Sequence, residues 1–187
     1  MHIDSRPVPA RTLLHQEGAL GLVAVVGLSF RPGGAFAQLG ARGSWVESLL
    51  CGLAVGTAAA LVLWLGRRAP AIRGLELWQR GLVIGWSPVD AVAVAVLSGL
   101  AEEALVRALL QPMIGLGLAA AVFALLHLVP DRRLWFWPLL AFGMGIVLGW
   151  LYESYGYPAA VIAHVALNSI SLLRLRHAGV DSPGAAS

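Results

Sequence analysis

The chain has 187 residues, 58% of them hydrophobic and only 12% charged, with a mean hydropathy of +0.77. A soluble domain carries roughly a quarter charged residues, so this composition excludes one and points to lipid. The net charge of +3 does not indicate nucleic acid, because all thirteen basic residues are arginines and most flank apolar runs, where they set topology.

Six apolar stretches follow in order: residues 18–39, 45–65, 88–110, 116–129, 135–152 and 158–173. Each is expected to be a helix, since a helix satisfies its own backbone in hydrocarbon and none of the runs alternates like a barrel strand. The expected fold is therefore all-α, a polytopic membrane bundle of about six transmembrane helices forming one domain over 1–187. The first stretch has a short core and ends at Arg31-Pro32-Gly33-Gly34. With Arg6 and Arg11 before it and Ala35-Phe36-Ala37 after it, it reads either as a helix or as a cleaved signal peptide. Cys51 sits within the second stretch, has no internal disulfide partner, and is read as a small packing residue.

Between the second and third stretches, residues 66–85 mix Arg, Leu and Trp78 and read as an amphipathic segment along the inner surface. Arg6, Arg11, Arg67, Arg68, Arg73, Arg80, Arg132, Arg133, Arg174 and Arg176 fall on one side of a six-helix arrangement, against Arg31 and Arg42 on the other. The excess of positive charge predicts both termini in the cytoplasm. Trp45, Trp64, Trp86, Trp135, Trp137 and Trp150 lie near proposed helix ends, where an amphipathic ring prefers the headgroup level. Residues 179–187 read as a disordered tail.

The third stretch contains Ala101-Glu102-Glu103-Ala104-Leu105-Val106-Arg107. A charge at membrane depth costs several kcal/mol unless it is paired or faces a polar cavity, so each of these three is a functional candidate. Glu103 and Arg107 share a helix face and read as an ion pair. Glu102 is rotated about 100° away and needs other partners. The fourth stretch offers Phe123 and His127 one turn apart, and the sixth offers His164 and Asn168 at the same spacing. Alone, either histidine reads as a packing or hydrogen-bonding residue; together, three helices carry polar groups. At 1.5 Å per residue, Glu102 lies about 12 Å, His127 about 17 Å, His164 about 9 Å and Asn168 about 15 Å from the outer helix ends. One cavity toward the outer face is expected to hold all four.

In this order, Glu102-Glu103-x-x-x-Arg107, Phe123-x-x-x-His127 and His164-x-x-x-Asn168 resemble the three motifs of the CPBP family, the CAAX protease and bacteriocin-processing group of intramembrane endopeptidases that includes the Rce1-like prenyl-protein proteases. The resemblance covers residues 88–173, while 1–87 carry no family signal. It implies an intramembrane peptide hydrolase in which Glu102 and His127 activate water, His164 and Asn168 serve as oxyanion donors, and Glu103, Arg107 and Phe123 support them. The residues suit that chemistry, since hydrolysis needs an activated water, a proton carrier and donors for the oxyanion.

No cofactor is required by this reading. A divalent metal such as zinc on Glu102, His127 and His164 stays open, although HExxH is absent and Asn168 is a poor zinc ligand. The expected partners are the bilayer and a membrane-anchored protein substrate, cut near a membrane-embedded or C-terminal sorting segment as in the myxosortase-like branch. A CAAX-type or bacteriocin-leader substrate is the alternative within the family. Outside it, the same groups would suit a transporter path or a membrane scaffold. The expected location is a bacterial inner membrane.

Overall fold

The computed structural model describes residues 6–177. The expected tail at 179–187 lies outside the described residues. Eight α-helices succeed one another: α1 (Ala10–Ser29), α2 (Gly34–Gln38), α3 (Trp45–Leu65), α4 (Pro70–Leu82), α5 (Pro88–Glu103), α6 (Gln111–Leu126), α7 (Phe136–Tyr155) and α8 (Tyr157–His177). Five continuous helical stretches are long and apolar enough to cross a membrane, the longest being Pro88–Leu126.

That longest stretch has 39 residues and would reach about 58 Å if straight, twice the hydrocarbon thickness. It folds back at Gly115, whose φ of 82° and ψ of 163° are open only to glycine. The two arms run antiparallel, as Arg107 over the Phe123 ring and Glu102 opposite His127 show. Gly156, at φ 90° and ψ 179°, makes the same one-residue reversal between α7 and α8. Between α5 and α6, residues Ala104–Leu110 form a π-helical segment just before Pro112. A proline cannot donate to the preceding turn and its ring clashes with it, so a widened turn relieves the conflict.

The helices start where local chemistry dictates. Ser44 caps α3 by accepting from Val46 N at 3.2 Å, and Ser87 with Asp90 forms a capping box ahead of Pro88 in α5. Small residues then let backbones approach in the absence of a hydrophobic drive between helices. Ser48, Gly52, Gly56 and Ala60 form the buried stripe of α3, and no Cβ fits at Gly52 or Gly56 against Ala159 and Ala163 of α8. Gly145 of α7 meets Ala120 of α6, and Gly21 of α1 meets Ala101 of α5.

Three boundaries differ from the sequence expectation. α1 begins at Ala10, because Ala10, Leu13 and Leu14 pack with Trp86, Val94 and Leu175. It also ends at Ser29, and the Gly33-Gly34 turn separates it from the short α2. α5 runs on through the π segment toward Gly115 rather than stopping at Leu110, and the return arm stops at Leu126 with His127 as its cap. Residues 116–126 therefore reach only about 17 Å below the turn, little more than half the hydrocarbon thickness.

Both described ends of the chain lie at one end of the bundle. Val8 N donates to Leu82 O at 3.0 Å, Trp86 Nε1 donates to Val8 O at 2.8 Å, and Arg176 Nε donates to Trp86 O at 3.1 Å. Trp86 is thus an internal peg rather than an interfacial anchor, whereas Trp45, Trp64, Trp135 and Trp150 are exposed.

Candidate active site

The site grows from the fold-back at Gly115. Glu102 precedes that glycine by thirteen residues and His127 follows it by twelve, so the two arms bring them level about 18 to 20 Å below the turn. Glu102 Oε2 lies 3.9 Å from His127 Nε2, longer than a hydrogen bond and of the separation one bridging water spans. The Oε2 atom is buried and has no partner. His127 Nδ1 lies 2.8 Å from Phe123 O, an acceptor only, so Nδ1 carries the proton and donates. That leaves Nε2 as the nitrogen facing Glu102.

Glu103 points elsewhere. Its Oε2 accepts from Arg107 Nε at 2.9 Å and its Oε1 accepts from His164 Nδ1 at 2.8 Å, with Glu103 and Arg107 fully buried. The expected Glu103–Arg107 pair is present, but it orients His164 rather than Glu102. Phe123 lies at the centre: the Arg107 guanidinium sits 4.9 Å from its ring, His127 4.6 Å and His164 5.9 Å. Asn168, one turn beyond His164, donates from Nδ2 to Ser98 Oγ at 3.2 Å.

Below His127 the short arm leaves a lane open. A cavity of about 360 Å³ fills it, lined by Phe123, His127, His164 and Asn168 at the top and by Glu76 and Arg174 lower down. Glu102 does not line it, and its Oε2 faces the lining residue His127 at Nε2. Most of the wall is apolar, from Leu63, Ile72, Leu75, Leu140, Met144 and Leu148. The cavity runs toward the end of the bundle that holds the described termini, α4 and most of the arginines. Termini in the cytoplasm and a cavity toward the outer face therefore do not hold together. The depth count ended α5 at Leu110 and carried α6 to Val129, and both boundaries moved.

Among the described residues, no three His, Cys, Asp or Glu side chains come together as a metal site. Nδ1 of each histidine is held, by Phe123 O for His127 and by Glu103 for His164, which leaves both Nε2 atoms free, and the Phe123 ring packs against both imidazoles.

Residues 84–170 match the family model described as type II CAAX prenyl endopeptidase Rce1-like. That segment, less than half of the chain, is similar to the Rce1-like family. No curated protein and no solved structure matches the chain. Similarity to that protease family supports a peptidase acting on a membrane-associated protein.

Several residues around the site were not singled out in the sequence. Trp137 stacks edge-on against His127 at 5.2 Å, so it belongs to the cavity rather than to the interfacial belt. Ser98 braces Asn168. His164, Asn168, Ser171 and Arg174 all line the cavity, and their spacing of three to four residues makes one polar track down α8. The three- to four-residue recurrence was the available signal, and it was masked because only its first two members carry a motif. Arg174 also pairs with Glu76 of α4, which closes the lower end of the cavity.

Proposed function

We propose that this chain hydrolyses a peptide bond near a membrane-embedded or C-terminal segment of a membrane-anchored protein, with Glu102 and His127 activating water and His164 and Asn168 stabilising the oxyanion. The observation that carries this reading is the unpartnered, buried Glu102 Oε2 placed 3.9 Å from His127 Nε2. A buried carboxylate oxygen without a partner is costly, and a site that must take up a proton compensates for that cost.

In this reading a water between Glu102 and His127 gives its proton to Glu102 while its oxygen attacks the carbonyl carbon. The carbonyl electrons move to oxygen, where His164 Nε2–H and the second N–H of Asn168 donate to the developing charge. His164 can do so only with both ring nitrogens protonated, and Glu103 accepts the other N–H. The proton on Glu102 passes through His127 to the amide nitrogen, the C–N bond breaks, and the amine leaves.

The cavity also bears on the substrate. Its apolar wall suits an apolar or lipid-modified residue, and its lower end carries Arg174, with Arg67, Arg68, Arg73 and Arg80 on the other side of α4 adding to the positive field. Like charges across such a mouth repel, so a neutral or anionic substrate end is favoured over a sorting tail that ends in arginines. By the same arginine count, the cavity faces the cytoplasm. From His164 to Arg174 the track is about 15 Å long, the span of four or five extended residues.

The test is cleavage by the full chain in lipid nanodiscs, read by mass spectrometry. Two probes are compared: a farnesylated Cys-Ala-Ala-X peptide with a free carboxylate, and a fusion ending in an apolar helix plus an arginine cluster. Cleavage lost in Glu102→Gln and His127→Ala supports the assignment, and cleavage that persists in both removes it.

A further inference from the structure

A second groove lies on the other side of α4. Arg67, Arg68, Arg73 and Arg80 line it together with Glu76 and Leu77. Among the described residues none of these four guanidinium groups is paired with a carboxylate, and Arg80 Nε is buried without a hydrogen-bond partner. The nearest carboxylate, Glu76, is taken by Arg174 on the far face of α4. With that carboxylate held by Arg174, four neighbouring like charges favour an anion bound among them.

The surroundings say which anion. Arg67 donates to Trp64 O at 2.9 Å and stacks over the Trp64 ring at 4.2 Å, and this tryptophan is exposed at the end of α3. Tryptophan at a helix end marks the headgroup level. Immediately above it Leu61, Val62 and Leu65 present an exposed apolar face. A soluble anion or an acidic peptide would meet the arginines but leave that face uncovered. A phospholipid covers both, with its phosphate among the guanidinium groups and its acyl chains along α3.

We propose that the groove between the end of α3 and the outer face of α4 is a binding site for the phosphate headgroup of an anionic phospholipid. Arginine recognises phosphate through paired N–H donors, and juxtamembrane arginines gain further from the negative surface of the membrane. The site does not depend on the hydrolytic reading. It does share a wall with the cavity, because Ile72, Leu75, Glu76 and Gln79 of α4 line the cavity while Arg73, Leu77 and Arg80 line the groove.

The full chain, purified from vesicles of phosphatidylcholine with about one-third phosphatidylglycerol, is examined by native mass spectrometry for retained lipid. Wild type is expected to keep phosphatidylglycerol in preference to phosphatidylcholine. Arg73→Gln with Arg80→Gln is expected to reduce retention about thirtyfold, two arginine contacts being removed. Arg11→Gln with Arg132→Gln removes equal charge from exposed positions at the same end and is expected to leave retention unchanged. Equal loss in both double variants would assign the lipid to general surface charge and overturn the groove. Retention unaffected by the Arg73/Arg80 pair, no preference between the two lipids, or displacement of the lipid by inorganic phosphate alone would each overturn it as well.

Discussion

His164 Nδ1 donates a 2.8 Å hydrogen bond to Glu103 Oε1, a residue 61 positions earlier in the chain. The same carboxylate holds Arg107, so one buried anion fixes a histidine on α8 and a guanidinium on the π-helical segment. The adjacent carboxylate, Glu102, has an oxygen with no hydrogen-bond partner, 3.9 Å from His127 Nε2.

This contrast between neighbours separates their variants. Glu103→Gln leaves Arg107 buried and unpaired, and is expected to cost about 3–5 kcal/mol of stability. Glu102→Gln breaks no hydrogen bond and should leave the thermal melting curve in detergent unchanged. Its expected loss is in turnover, about 10²- to 10⁴-fold for a proton-transferring group. A Glu102→Gln protein that melts as early as Glu103→Gln would show that Glu102 is structural.

Phe123 touches Arg107 and both imidazoles. Truncation in Phe123→Ala is expected to cost about 3–5 kcal/mol and to loosen both histidines. Phe123→Leu keeps most of the volume but no aromatic face, so stability should fall by less than half as much while turnover falls in both. Parallel thermal melts and cleavage rates check the split.

Gly115 and Gly156 share a backbone conformation that a side chain rarely adopts. Alanine at either position is expected to cost about 1–3 kcal/mol from backbone strain alone. At Gly115 a Cβ meets open space, whereas at Gly156 it would come within 2.5 Å of Gly40 O and 2.7 Å of Arg42 N. Gly156→Ala should therefore melt earlier than Gly115→Ala, and the reverse order would remove the packing argument.

Arg174 and Glu76 make opposite predictions for substrate binding. If Arg174 reads a substrate carboxylate, Arg174→Gln raises KM for a free-acid peptide about tenfold, the worth of one charge-assisted contact, and leaves the C-terminal amide unaffected. Glu76→Gln removes the competing carboxylate and should lower KM for the free acid. Equal effects on acid and amide would sink this account of specificity.

The amphipathic α4 and the polar spacings of α5, α6 and α8 were legible in the sequence, since both rest on local periodicity. Glu103–Arg107 was legible for the same reason. What escaped was the geometry that depends on single residues and on partners far along the chain. Gly115 falls in the gap expected between the third and fourth stretches, 111–115, but nothing local says that the helix runs on to a one-residue reversal there. Trp86 and Trp137 were placed at the interface because tryptophan usually prefers it, but each meets an inward partner, Val8 O and His127. The cavity's position was missed because it depends on where α6 stops, a boundary that propensity alone leaves uncertain by several residues.

That early stop has a further consequence. Residues 116–126 fall about 13 Å short of the opposite interface, the length of some two and a half helical turns. The cavity lined by His127 occupies the space this leaves. In the proposed reading a substrate peptide takes the place of those turns, so the short α6 would set its register at His127 before any side chain is recognised.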